Sequence, residues 1–239
     1  MVVHEVRPAL GGQLLMANRE PSKGKSYEGL IGHYEALMKK HGVKWHIDSP
    51  VKAALIRKER PSVVVLATGA SVPQFNSVPT DGVTVISLEE ALIEDKVASG
   101  SRVAILSGER AGLVAAEYLT SEKGCSVSVV EESPRMGTDV DITFIWRHMA
   151  WIKDMGVNAL KKHRIKSVNN GHVILADAED NEVKIEADVL IQAGPRRSRQ
   201  ELEEEFKPLV DELYLVGDAI NPRSLPEAIH EGFKLGVRI

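Results

Sequence analysis

The stretch from Arg102 to Val130 constrains this chain more than any other. Arg102 to Leu106 is a short apolar run of strand type. Ala111 to Lys123 has Val114, Ala115, Tyr118 and Leu119 on one helical face, and Gly124 stops it. Ser126 to Val130 is a second apolar strand. Strand, helix and strand in about 30 residues make a βαβ unit, whose two strands are parallel and need cover on both faces. The chain is therefore expected to be α/β.

The flanking patterns agree. Val2–Glu5 reads as a short strand, and Pro8, Gly11 and Gly12 break it. From Ser26 to His41, Leu30, Tyr34, Leu37 and Met38 recur at helical spacing. Ser62–Ala67 is expected to be a fully buried strand of a parallel sheet, stopping at Thr68-Gly69. Residues 72–84 are turn-rich and 87–98 suggest a short helix. Ile142, Ile145, Met149 and Ile152 mark another amphipathic helix, with Trp146 and Trp151 expected to pack. Segments near 165–168, 172–176 and 182–185 are joined by the hairpin-type turns Asn169-Asn170-Gly171 and Asp180-Asn181. Val189–Gln192 and Leu213–Val216 are further strands, and a last helix starts near Pro226.

Composition excludes several classes. The 239 residues are 43% hydrophobic and 27% charged, with a formal net charge of −4. That balance leaves no electrostatic footprint for nucleic acid or an anionic membrane. No apolar run approaches the roughly 20 residues of a membrane span. No signal peptide is read at the start, so a cytoplasmic location is expected. A single cysteine, Cys125, cannot form a dithiol or a cysteine zinc site, and no histidine spacing suggests a metal.

Four elements carry a resemblance. They are Leu10-Gly11-Gly12-Gln13-Leu14, Ala67-Thr68-Gly69, Leu213-Tyr214-Leu215-Val216-Gly217-Asp218-Ala219 and Glu227-Ala228-Ile229-His230-Glu231-Gly232. The sequence resembles the C-terminal half of the multidomain flavin oxidoreductases related to old yellow enzyme. That group includes 2,4-dienoyl-CoA reductase, trimethylamine dehydrogenase and histamine dehydrogenase. The resemblance implies two Rossmann-like domains of glutathione-reductase type, the second inserted in the first. A first FAD-binding segment is expected at 1–95, an NAD(P)-type domain at 96–200 and the returning FAD segment at 201–239.

It also implies a set of contacts. Glu5 would accept the ribose hydroxyls of an adenosine. Gly11, Gly12 and Gln13 would let backbone approach the cofactor, and Ala67, Thr68 and Gly69 would line the same cleft. Asp218, between Gly217 and Ala219, would hydrogen-bond the flavin ribityl chain. The implied cofactor is FAD, or ADP in its place. The implied partner is an N-terminal barrel carrying FMN and an iron–sulfur cluster, or a partner chain, with an electron-transferring flavoprotein as a candidate acceptor.

The sequence departs from that pattern twice. No GxGxxG precedes Glu5, so the first strand, its glycine turn and its helix are expected to be absent from the FAD half. In the second domain the fingerprint reads Ser107-Gly108-Glu109-Arg110-Ala111-Gly112, with only the last glycine in register. Glu109 puts a negative charge where backbone should meet a pyrophosphate. Two unit charges 5 Å apart repel by roughly 3 kcal/mol at an effective dielectric near 20, about a hundredfold in affinity. Arg110 offsets part of this. Ser107, Gly108, Gly112 and Glu131 thus form a weaker second nucleotide site, and NAD(H) is disfavoured there. No residue is placed for substrate chemistry. The expected role is the nucleotide- and flavin-binding portion of a flavin-dependent oxidoreductase. The second reading is a non-catalytic adenine-nucleotide or scaffold module of an electron-transfer complex.

Overall fold

The computed structural model describes residues 1–21, 26–72 and 82–239. Most of the turn-rich stretch expected at 72–84 lies outside them. The chain divides into two compact units. One comprises Met1–Leu10, Glu35–Pro73 and Arg196–Ile239, and the other Gly11–Tyr34 and Gln74–Pro195. They are called the outer-segment unit and the central unit below.

The central unit is built on a five-stranded sheet. Its order is Thr84–Ser87, Val189–Gln192, Arg102–Leu106, Ser126–Glu131, Asn158–Lys161, and every neighbouring pair is parallel. Side chains alternate across the pleat. Val103, Ile105, Val127, Val129, Val189 and Ile191 enter one core with Leu113, Ala115 and Leu119 of the helix Arg110–Lys123. Ala104, Val130 and Leu190 point the other way and meet Val168, Val173 and Leu175. Those belong to an antiparallel three-stranded sheet, Arg164–Asn169, His172–Ala176 and Glu182–Glu186. Both faces of the parallel sheet are thus covered, which is why its strands read as unbroken apolar runs.

The helix Ile142–Asp154 follows the βαβ unit and is capped by Asp141, whose carboxylate accepts the Thr143 N–H at 2.8 Å. Its two tryptophans differ. Trp151 packs on the core, whereas Trp146 is 67% exposed and donates its indole N–H to the Thr143 carbonyl. The expectation that both pack is therefore corrected for Trp146, which lies one position off the helix stripe of Ile145, Met149 and Ile152. Inside, His148 and Glu117 form a buried pair 2.5 Å apart that joins this helix to Arg110–Lys123. Cys125 is buried, and burial pushes its thiol up from the ordinary value.

The outer-segment unit has a different build. Val2–His4 pairs in parallel with Lys44–His46, and Val63–Leu66 pairs in parallel with Glu212–Leu215. Among the described residues these remain two separate two-stranded sheets. Ala70–Ser71 and Arg197–Ser198 add a short antiparallel pair. The core is small: Ile56 of the helix Ala53–Glu59, Leu66, and Phe206 of the helix Glu201–Phe206. The expectation that the strand at 62–67 is fully buried is corrected: of Val63–Leu66 only Leu66 is buried and Val65 is exposed, because the strand belongs to a two-stranded sheet. The last helix, Leu225–Arg238, begins with a Ser224–Glu227 capping box and Pro226 in its first turn. None of its residues is buried, and Phe233 and Val237 are 70% and 74% exposed. Among the described residues no helix is long and apolar enough to cross a membrane.

Candidate functional site

In parallel α/β structures ligands gather beyond the carboxyl ends of the strands, because loops and helix starts converge there. Several of the residues singled out from the sequence, Glu5, Thr68 and Asp218 among them, stand at such ends. Glu5 directly follows Val2–His4. Its N–H donates to the His46 carbonyl at 2.8 Å and its carbonyl accepts the Ser49 N–H at 2.9 Å. Its carboxylate accepts the Arg7 N–H at 2.9 Å, which fixes the turn after the strand.

Ala67, Thr68 and Gly69 follow Val63–Leu66. The Thr68 hydroxyl donates to the Arg199 carbonyl at 2.8 Å, and the Arg199 N–H returns to the Gly69 carbonyl at 3.0 Å. The loop after this strand is thereby tied to the segment that re-enters the unit at residue 196.

Gly217, Asp218 and Ala219 form a single 3-10 turn shortly after the strand Glu212–Leu215. Gly217 has φ +64, and a Cβ there would lie 3.2 Å from Cβ of Ala228, so glycine suits both backbone and packing. Its N–H donates to Glu231 Oε2 at 2.8 Å. Asp218 Oδ2 accepts from the Arg196 guanidinium at 2.9 Å and Oδ1 from the Arg223 N–H at 2.9 Å. The Arg223 guanidinium donates in turn to Glu231. That bond, then the Gly217 amide, holds the Glu231 carboxyl below its ordinary value. The Asp218 side chain is only 13% exposed. A carboxylate oriented by two donors is a preorganised acceptor for a ligand hydroxyl.

Arg196, Arg223 and Glu231 were not anticipated from the sequence. Glu231 lay inside a recognised element, but nothing in the local pattern of Arg196 or Arg223 signals that they reach Asp218. Gly11, Gly12 and Gln13 fall in the central unit. Gly11 has φ +120, and Gln13 opens the short helix Gln13–Ala17, whose Met16 packs on the large core.

The second group is brought together around the start of the helix Arg110–Lys123. Ser107 occupies the first glycine position of the fingerprint and keeps a glycine-like backbone at φ +116. The Gly108 N–H donates to Glu131 Oε2 at 2.7 Å, and Glu131 Oε1 accepts the Ser133 N–H at 2.8 Å. A Cβ on Gly112 would strike the Ser107 carbonyl oxygen, so this glycine is needed for helix–strand packing whether or not a ligand binds. Glu109 stands as the residue before the helix, with no side-chain capping bond. Among the described residues no group of three His, Cys, Asp or Glu could hold a metal ion.

Known proteins share this architecture. The chain is 24% identical to a metal reductase of Desulforamulus reducens, over 100% of its own length and 40% of that protein. It superposes on 2-naphthoyl-CoA reductase with a TM-score of 0.89 at 27% identity, covering 100% of this chain and 36% of that one. It also shares the fold of histamine dehydrogenase from Rhizobium sp. 4-9, with a TM-score of 0.81 at 18% identity over 100% of this chain and 38% of that one. The chain thus spans about two fifths of the length of these proteins. Residues 21–232 match the family model described as pyridine nucleotide-disulphide oxidoreductase. The chain belongs to the pyridine nucleotide-disulphide oxidoreductase family.

Proposed function

We propose that the chain is the nucleotide-binding portion of a flavin-dependent oxidoreductase, with the outer-segment unit as its flavin- or adenine-nucleotide-binding domain. The observation that carries this reading is Asp218: a mostly buried carboxylate, oriented by Arg196 and the Arg223 amide, just beyond a parallel strand. The family match over residues 21–232 supports it.

The residues present fit such a group in part. Asp218 would accept a hydrogen bond from a ribityl hydroxyl, with Arg196 fixing its direction. Glu5 would accept from the adenosine ribose. Thr68 and Gly69 would border the cofactor, and Gly217 would let backbone approach it. A bound flavin supplies hydride or electron transfer that no side chain here can perform. With one cysteine, the chain has no dithiol to serve as a relay. Its own residues bind and orient, and substrate chemistry is assigned to polypeptide beyond these 239 residues.

The exposed apolar residues Ile229, Phe233 and Val237 support that assignment. They lie at i, i+4 and i+8 on one side of the last helix, the spacing of a face that packs against something. We assign that something to the remainder of a longer flavoenzyme, a barrel with FMN and an iron–sulfur cluster as in the resembling proteins.

Thermal denaturation with FAD, ADP or FMN tests the reading. A ligand present at 100 times its Kd stabilises by about 2.7 kcal/mol. A rise in Tm with FAD or ADP is expected. The absence of any rise at millimolar concentration of all three would contradict it.

A further inference from the structure

The fingerprint turn of the central unit does not suit a nicotinamide dinucleotide, and the structure shows more than the Glu109 substitution at work. A dinucleotide pyrophosphate needs open main-chain amides at the helix start and a bare backbone beside the glycine turn. Here the segment 132–141, which follows the second strand, folds across that turn. The Arg110 N–H, in the first residue of the helix, donates to Asp139 Oδ1 at 2.7 Å. The Gly137 N–H donates to the Gly108 carbonyl at 2.6 Å. Met136 is buried over Gly108, and its Cγ lies 2.6 Å from where a Gly108 Cβ would stand. Both ends of the segment are fixed, by the Ser133 N–H on Glu131 and by Asp141 capping the next helix.

We infer that this dinucleotide site is closed by the chain itself, with Asp139 holding the helix-start amide that a phosphate oxygen would need and Glu109 adding a second negative charge beside it. Asp139 and Glu109 are the charged residues that keep a dinucleotide pyrophosphate from this turn. The frame of the turn is intact: Ser107 has a glycine-like φ and Gly112 packs against the Ser107 carbonyl. The site therefore has a strand–turn–helix frame whose opening is covered by segment 132–141. This conclusion concerns the central unit alone and stands apart from the flavin reading of the outer-segment unit.

Two double variants of the full chain test it, read by NADH fluorescence titration alongside circular dichroism and Tm. Glu109→Gly with Asp139→Ala opens the turn. Glu109→Gln with Asp139→Asn removes both charges but keeps side chains of the same size, so it protects the test if the first variant fails to fold. Wild type should show no saturable NADH binding up to about 1 mM. The opened variant should bind at least about a hundredfold more tightly than wild type, and the charge-neutral variant at least about tenfold. Micromolar binding by wild type would overturn the inference. So would folded variants whose affinity is no better than wild type.

Discussion

The two units are made from similar pieces and end differently. In the central unit a five-stranded parallel sheet is buried on one face by helices and on the other by an antiparallel sheet. In the outer-segment unit, among the described residues, two parallel pairs stay apart, Ile56, Leu66 and Phe206 form a small buried cluster, and no residue of the last helix is buried. The same kind of sequence, apolar strands joined by amphipathic helices, gives a closed core only where each sheet face and edge finds a neighbour. The contrast also divides the chemistry. In the central unit the turn Ser107–Gly112 is covered by segment 132–141. The outer-segment unit has an oriented acid, Asp218, shortly after a strand end.

The contrast can be broken most sharply by truncating one apolar side chain in each kind of setting. Leu113 is fully buried against the central sheet, so Leu113→Ala should cost about 2–5 kcal/mol in stability, measured by urea denaturation. Phe233 is larger but exposed, so Phe233→Ala should change stability by less than about 0.5 kcal/mol. A large loss on Phe233→Ala would show that the last helix packs in the isolated chain after all.

A smaller effect separates packing from binding within the fingerprint turn. Gly112→Ala drives a Cβ into the Ser107 carbonyl, which is backbone, and should cost about 1–3 kcal/mol without any ligand. Gly108→Ala meets Met136, whose flexible side chain can shift, and should cost less. Equal losses would mean that segment 132–141 is as rigid as the strand.

The smallest effect is electrostatic. Arg102 donates to Asp188 and Glu186 at the start of a central strand, and that contact lowers the Asp188 carboxyl from 3.8 to about 2. A carboxylate with a depressed folded-state value stabilises the fold above its ordinary value and loses that contribution as pH falls through the depressed one. The pair is half exposed, so Asp188→Asn should lower Tm by only about 1–2 °C at pH 7. The difference from wild type should shrink between pH 4 and pH 2. A gap that persisted at pH 2 would assign the effect to something other than this charge.

Much of this architecture is visible in the residues. The βαβ unit was legible because its strands are unbroken apolar runs and its helix carries a clear stripe, and only a parallel, two-sided sheet satisfies both. The hairpins at Asn169-Asn170-Gly171 and Asp180-Asn181 were legible from their turns. Lys44–His46 and Asn158–Lys161 were not. Each is a three- or four-residue strand at the end of its sheet, largely exposed, and too short for its pattern to stand out from the neighbouring residues. Glu109 could be read because it stands in register with a fingerprint. Asp139 could not, since its partner at Arg110 is set by the path of a loop. The same holds for Arg196, which reaches Asp218 across 22 residues of sequence.

The central claim is that Asp218 receives a flavin or adenine-nucleotide cofactor. It is tested most directly by titrating FAD against the wild-type chain and Asp218→Ala, following quenching of flavin fluorescence with circular dichroism as the check on folding. The account predicts saturable quenching by wild type and at least about a tenfold weaker curve for a folded Asp218→Ala, the loss of roughly one charge-assisted hydrogen bond. Superimposable curves from two folded proteins, or no quenching by wild type at all, would contradict it.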